Sequence, residues 1–371
     1  MAEQQWPYAL RVVHLLGGLC AINLPEDDEV HLYASSPADD NILCTFKIPS
    51  YGALFSVMES LGLRPLGTVF VTDKQQQEGI YPPDTRHYCR SPQHDGPWVV
   101  WDAAQTWGQI AYHAGRNDAN IPLMDLARRI SFELYACSAK WFDLSHAYGA
   151  VLSGQIKGGE FSAGQRFSTM NDFALYLAIH SVLSETSSLR DYLAEFVAQH
   201  VLTNELPGNP FTKMAKLAQA LRKQPGITHP AAATIAAITS ENSGWLHTLS
   251  AYRDLVIHYA PADMTQGASF VMQKEFELRE GRLPYIETYL PADPVAVKNE
   301  RVRGTSMKTL AEWNRAFSPA GVAGGPDALV DLHNAVGQLA LLSLEMASHS
   351  PTKPAPIQIR PIPGTLIIRR G

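Results

Sequence analysis

Arg253 and His258 stand five residues apart in the hexapeptide Arg253-Asp254-Leu255-Val256-Ile257-His258, inside the largely apolar run 243–261. A guanidinium stays protonated and can bind two phosphoryl oxygens at once through its planar fork. An imidazole titrates near neutrality in water and can take and return the protons of a phosphodiester transfer. Together they suit metal-free RNA cleavage, in which a 2′-hydroxyl attacks the adjacent phosphorus while charge grows on the phosphoryl oxygens. Asp254 can orient an Arg or a His. His247 precedes His258 by about three helical turns and projects from a similar face of a regular helix. Tyr252 and Tyr259 flank the motif; each suits stacking on a base or donation to phosphate, with packing at the dimer interface the favoured role. The candidate catalytic residues are therefore Arg253, His258 and Asp254, and the candidate substrate-binding residues are Tyr252, Tyr259 and His247.

On a regular α-helix, residues five apart diverge by about 140°. Arg253 and His258 then share a face only where the helix bends or ends. A two-fold dimer offers another solution, in which the Arg and His of each chain converge with those of its mate. The spacing predicts a composite site at a homodimer interface. A purely structural role for the same residues is the alternative. Cations near a helix C-terminus interact well with the dipole, Pro261 discourages continuation, and Arg253 can pair with an acidic neighbour.

The hexapeptide and its flanks resemble the R-[N/D/H]-x-x-x-H signature of the HEPN superfamily (higher eukaryotes and prokaryotes nucleotide-binding), whose Arg, polar residue and His fall on Arg253, Asp254 and His258. Asn is the commoner middle residue. The resemblance implies an all-α bundle that pairs as a homodimer. It implies a metal-independent endoribonuclease acting on RNA, in a toxin, antiviral-defence or stress setting. Other members are non-catalytic scaffolds or nucleotide-binding proteins, and this is the alternative function.

The 371 residues are 46% apolar and 18% charged, ample for a core and long for one simple bundle. A net charge of −6 argues against a broad basic face holding long nucleic acid. RNA binding should then be local, or supplied by a partner. Cys20, Cys44, Cys89 and Cys137 lie far apart without a C-x-x-C pair and read as buried or free thiols in a reducing cytosol. Arg11 and His14 interrupt the apolar run 9–24, which argues against a signal peptide. No apolar stretch approaches the length of about 18 residues that a membrane span needs. A soluble cytoplasmic protein is expected.

Two textures divide the chain. Residues 1–115 read as a small α/β or α+β module, with β-like runs at 31–34, 42–48, 67–72 and 98–101 and a helical segment at 53–61. Its role is unassigned; docking a regulatory protein partner suits it. Residues 116–350 read as the HEPN-like helical domain. Pro122 suits a first turn, and Leu123, Leu126, Ala127, Ile130, Leu134 and Cys137 keep helical spacing. Further helices are expected over 169–202 with a break at 185–188, over 210–223, over 230–258 as one helix or two meeting near 240–244, and over 326–348. An irregular insertion fills 261–325. In the tail 351–371, Ile and Arg alternate around Pro from 354 onward, fit to add an edge strand.

Other constellations are weaker. His87, Cys89 and His94 match no familiar zinc spacing and lack an evident fourth ligand. Gly158-Gly159 and Gly324-Gly325 lack the flanking elements of a phosphate loop and read as turns. No metal or cofactor is expected. Arg128-Arg129 is the best short basic pair for steering phosphate.

Overall fold

The computed structural model describes residues 9–24, 27–34, 42–72, 84–89, 99–159, 161–169, 172–206, 211–241, 243–259, 271–278, 281–302 and 325–356. Six strands lead: β1 (Ala9–Leu15), β2 (Leu19–Asn23), β3 (Glu29–Ala34), β4 (Ile42–Lys47), β5 (Pro65–Thr72) and β6 (Asp84–Cys89), with a short helix α1 (Leu54–Ser60) before β5. They form one sheet, ordered β4-β3-β2-β1-β5-β6, with every neighbouring pair antiparallel. In β3, Val30, Leu32 and Ala34 are buried and their neighbours are not, the period-two pattern of a strand with one face on a core.

The helices follow: α2 (Val99–Arg116), α3 (Ile121–Gly158), α4 (Asp172–Phe196), α5 (Met214–Lys223), α6 (Pro230–Ile238), α7 (Trp245–Asp254), α8 (Pro294–Val302) and α9 (Ala328–Ser348). Single π-helical turns continue α4 over Val197–Val201 and α7 over Leu255–Tyr259. A second sheet, β7 (Arg166–Phe167), β8 (Val271–Leu278) and β9 (Gly281–Glu287), is ordered β7-β8-β9. The protein is thus mainly helical with an N-terminal antiparallel sheet. No helix among the described residues is long and apolar enough to cross a membrane.

The long hairpin α2–α3 organises the rest. Asn120 accepts from the Leu123 amide at 3.2 Å, Pro122 occupies the first turn, and Gly159 at φ 67° closes α3. The indoles of Trp107 and Trp141 donate to the carbonyls of Ser343 (3.2 Å) and Leu329 (3.1 Å), fastening both helices to α9. The sheet packs on α3 through the turn after β1. A Cβ on Gly18 would lie 2.7 Å from the Tyr148 carbonyl carbon, so only glycine permits that approach. One apolar core accordingly runs from Val13 and Leu32 in the sheet to Trp107, Trp141 and Leu339 in the bundle.

Several sequence expectations change. Of the run 98–101, residues 99–101 are not a strand: from Val99 onward the chain is helical. Val99, Val100, Ala103, Ala104 and Trp107 all point inward at helical spacing, which outweighs a short β-like run. There is no break at 185–188, because the Thr186 hydroxyl donates to the Val182 carbonyl at 2.9 Å and is satisfied within a continuous α4. The stretch 261–325 contains the β8–β9 hairpin and α8, with Pro284 tolerated on the edge strand β9. The run 9–24 forms β1 and β2; Arg11 Nε donates to Asn23 Oδ1 at 3.1 Å, and His14 Nδ1 sits 2.9 Å from Ser145 Oγ. Cys20 and Cys137 are buried and Cys44 is half-buried. Of the tail from 354 onward expected to add an edge strand, residues 354–356 are not in a strand and 357–371 lie outside the described residues.

Candidate functional site

Helix α7 begins where glycine is obligatory: a Cβ on Gly244 would lie 2.3 Å from the Ile238 carbonyl oxygen at the end of α6. Its inner face buries Leu246, Leu249 and Tyr252. After Asp254 the backbone widens into the π-turn, with Leu255 and Val256 still buried and Ile257 42% exposed beside the exposed His258.

That widening overturns the expected divergence of Arg253 and His258. A π-turn bonds residue i to i+5 and so stacks the two. Arg253 Nη1 lies 2.8 Å from His258 Nε2, within one chain and without a second subunit. A guanidinium can only donate, so His258 Nε2 accepts and the ring proton is assigned to Nδ1. The same Nη1 donates to Asp254 Oδ1 at 3.2 Å. Asp254 Oδ2 in turn accepts from Lys298 Nζ on α8 at 2.7 Å. The four side chains form a continuous line, Lys298 to Asp254 to Arg253 to His258.

Exposure decides how strongly these charges act. Arg253, Asp254 and Lys298 side chains are 29%, 33% and 28% exposed, so their attraction is screened less than on an open surface and they stay reachable. Burial pushes the Asp254 pKa up, but hydrogen bonds and charge from Lys298 and then Arg253 outweigh it and hold the carboxyl below its ordinary value. Arg253 Nε is buried without a partner, and Nη2 makes no hydrogen bond among the described residues. Nη2 is therefore the guanidinium nitrogen left to meet an anion's oxygen, beside the imidazole nitrogen that accepts from Nη1.

The other predicted residues do not join this line. Tyr252 is 3% exposed, and its hydroxyl donates to the Pro291 carbonyl at 2.9 Å, so it takes the packing role, inside one chain. His247 is half-buried on α7 and makes no side-chain hydrogen bond among the described residues; the π-turn breaks the phase that would align it with His258. The side chain of Tyr259 lies outside the described residues. Arg129 is committed to Glu195 (3.1 Å) and Asp125 (3.0 Å), leaving Arg128 exposed and unpaired among the described residues. Lys298 is the member that sequence reasoning missed. It lies 44 residues from Asp254, within the stretch read as an irregular insertion, and no local pattern links the two.

Titration shifts also occur away from the motif. Burial raises the Asp327 pKa to about 7, although its carboxylate caps α9 and accepts from Tyr148 Oη (2.8 Å) and from the Thr288 and Val330 amides. This carboxylate is a fully bonded joint between α3, the end of β9 and α9. Burial, then the hydrogen bond and charge of Glu185, raise Glu133 on α3 to about 8. Burial, reinforced by the charge of Arg64, lowers His333 to about 3. Among the described residues no group of three or more His, Cys, Asp or Glu is arranged to hold a metal ion. His94 and the side chains of His87 and Cys89 lie outside the described residues. Comparison with protein-family models, with curated proteins and with solved structures finds no match to this chain.

Proposed function

We propose that the chain is a metal-independent endoribonuclease of HEPN type. One observation carries this reading: the 2.8 Å contact between Arg253 and His258 at a π-turn. A phosphodiester entering beside Arg253 meets the free Nη2, and Nη1 can turn from His258 to a second phosphoryl oxygen. That turn frees His258 Nε2 to take the proton of a 2′-hydroxyl as its oxygen attacks phosphorus. The P–O5′ bond breaks, the 5′-oxygen receives the proton from His258, and a 2′,3′-cyclic phosphate remains. Asp254, clamped by Lys298, fixes the guanidinium during the transfer. In this reading the protein works as a cytoplasmic homodimer in a defence or toxin-like system, with the N-terminal sheet docking a regulatory partner.

The test is cleavage of labelled total RNA and tRNA in EDTA. We expect fragments ending in 2′,3′-cyclic phosphate from the wild type, and none from folded Arg253→Ala or His258→Ala. A second reading rests on Asp254, whose carboxylate already neutralises Arg253 and Lys298 as a structural lock would. It makes the chain a non-catalytic HEPN-like scaffold or nucleotide-binding partner. An uncut RNA pool, with both variants unfolding more readily than the wild type, would favour it.

A further inference from the structure

A second surface has the chemistry of an RNA-binding site. Between α2 and α3 opens a cavity of about 750 Å3, within the size range that holds small ligands. Gly108 and Gly115 sit on its α2 wall, and a Cβ on Gly115 would fall 2.5 Å from Met124 Sδ. Met124 thus packs directly on Gly115 at one end, and the slot is lined further by Tyr112, Ser131, Phe132 and Tyr135.

The lining combines flat rings with cations. Phe132 is 70% exposed at the slot, although burial is the rule for a phenylalanine. Tyr135 is held in place by Gln105, whose Nε2 donates to its hydroxyl at 2.6 Å, and by the edge of Trp101. Arg116 and Arg128 approach from the two helices, and neither makes an ion pair or hydrogen bond among the described residues. By contrast Arg11, Arg64, Arg129 and Arg190 are each engaged by a polar partner. No carboxylate lines the slot, in a chain whose net charge is −6. Unpaired guanidiniums beside exposed rings match an anion that carries flat apolar faces. Single-stranded nucleic acid has that chemistry, with bases to stack and phosphates to neutralise.

We infer that the α2–α3 slot binds a short single-stranded segment of RNA, with Phe132 and Tyr135 stacking bases and Arg116 and Arg128 holding phosphates. This deepens the nuclease reading by giving the substrate a place to bind apart from Arg253 and His258. It also supplies the local cationic site that an acidic chain needs.

The experiment is fluorescence anisotropy with an RNA hexamer 2′-O-methylated throughout, which cannot be cut by 2′-hydroxyl attack. Wild type is compared with Phe132→Ala, with Arg116→Ala/Arg128→Ala, and with the charge-matched control Arg222→Ala/Lys223→Ala on exposed positions of α5. Losing one stacked base should weaken binding about five- to 150-fold. The arginine pair should weaken it and flatten the log–log salt slope by about 1.4, two phosphates' worth. Slot variants that bind like the wild type, or no worse than the α5 control, would overturn the proposal. So would a free mononucleotide that competes as well as the hexamer, or a dimer that the slot variants dissociate with RNA affinity unchanged. The nuclease reading fails separately. RNA that binds in the slot but is never cut removes the nuclease and leaves the slot; slot variants that bind and cut normally do the reverse.

Discussion

If Lys298 holds Asp254 and Asp254 holds Arg253, the two residues must be energetically coupled. The perturbation is Lys298→Met with Asp254→Asn, alone and together. At 2.7 Å, with side chains 28% and 33% exposed, the pair lies between two regimes. Fully exposed pairs contribute about 0.2–1 kcal/mol, and hydrogen bonds to charged groups about 1.5–3 kcal/mol. A coupling energy of about 1–2 kcal/mol follows, measured by urea unfolding of the four proteins at neutral pH. The pH dependence has a definite sign. The Asp254 pKa is depressed in the folded chain, so the pair contributes fully above the ordinary carboxylate value near pH 4. Its contribution is lost as pH falls through the depressed value and Asp254 takes up a proton. Additive single effects, within about 0.5 kcal/mol, would refute the coupling. So would a coupling that persists undiminished in acid.

Other outcomes follow from neighbouring geometry. Gly244→Ala forces a Cβ against the Ile238 carbonyl and should lower stability by about 2–4 kcal/mol, read by thermal unfolding. Tyr252→Phe removes only the bond to the Pro291 carbonyl; it should lower stability by about 0.5–1.5 kcal/mol and leave RNA cleavage intact. A loss of cleavage there would return Tyr252 to the substrate. Glu133 has its pKa raised to about 8, so folding favours its protonated form, and stability falls as pH climbs from the ordinary carboxylate value towards 8. Glu133→Gln should therefore raise Tm at pH 8, by about 2–4 °C per kcal/mol recovered, and change it little near pH 4.5.

How much of this was legible in the sequence depended on whether the signal was local. Pro122 and the apolar spacing from Leu123 to Cys137 mark the start of α3 correctly, and the β-like runs at 31–34 and 42–48 fall on β3 and β4. Val99 and Val100 misled because a few β-branched residues look alike in a strand and in the first turn of a buried helix. The Arg253–His258 pair was found, but its geometry was not. A regular period of 3.6 residues cannot foresee one π-turn, and that turn converts a divergence of about 140° into a hydrogen bond. Lys298 was invisible for a different reason. Its link to Asp254 is tertiary, made across a β-hairpin and α8 that the prolines at 284, 291 and 294 disguised as irregular chain.

The central claim is that one chain assembles the Arg–His pair and that this pair cuts RNA. The most direct measurement is RNA cleavage in EDTA by wild type and by an equimolar mixture of refolded Arg253→Ala and His258→Ala. A site built within one chain predicts cutting by the wild type and none by the mixture. Activity restored in the mixture would show that the Arg and His act from different chains, and a wild type that leaves RNA intact would contradict the nuclease itself.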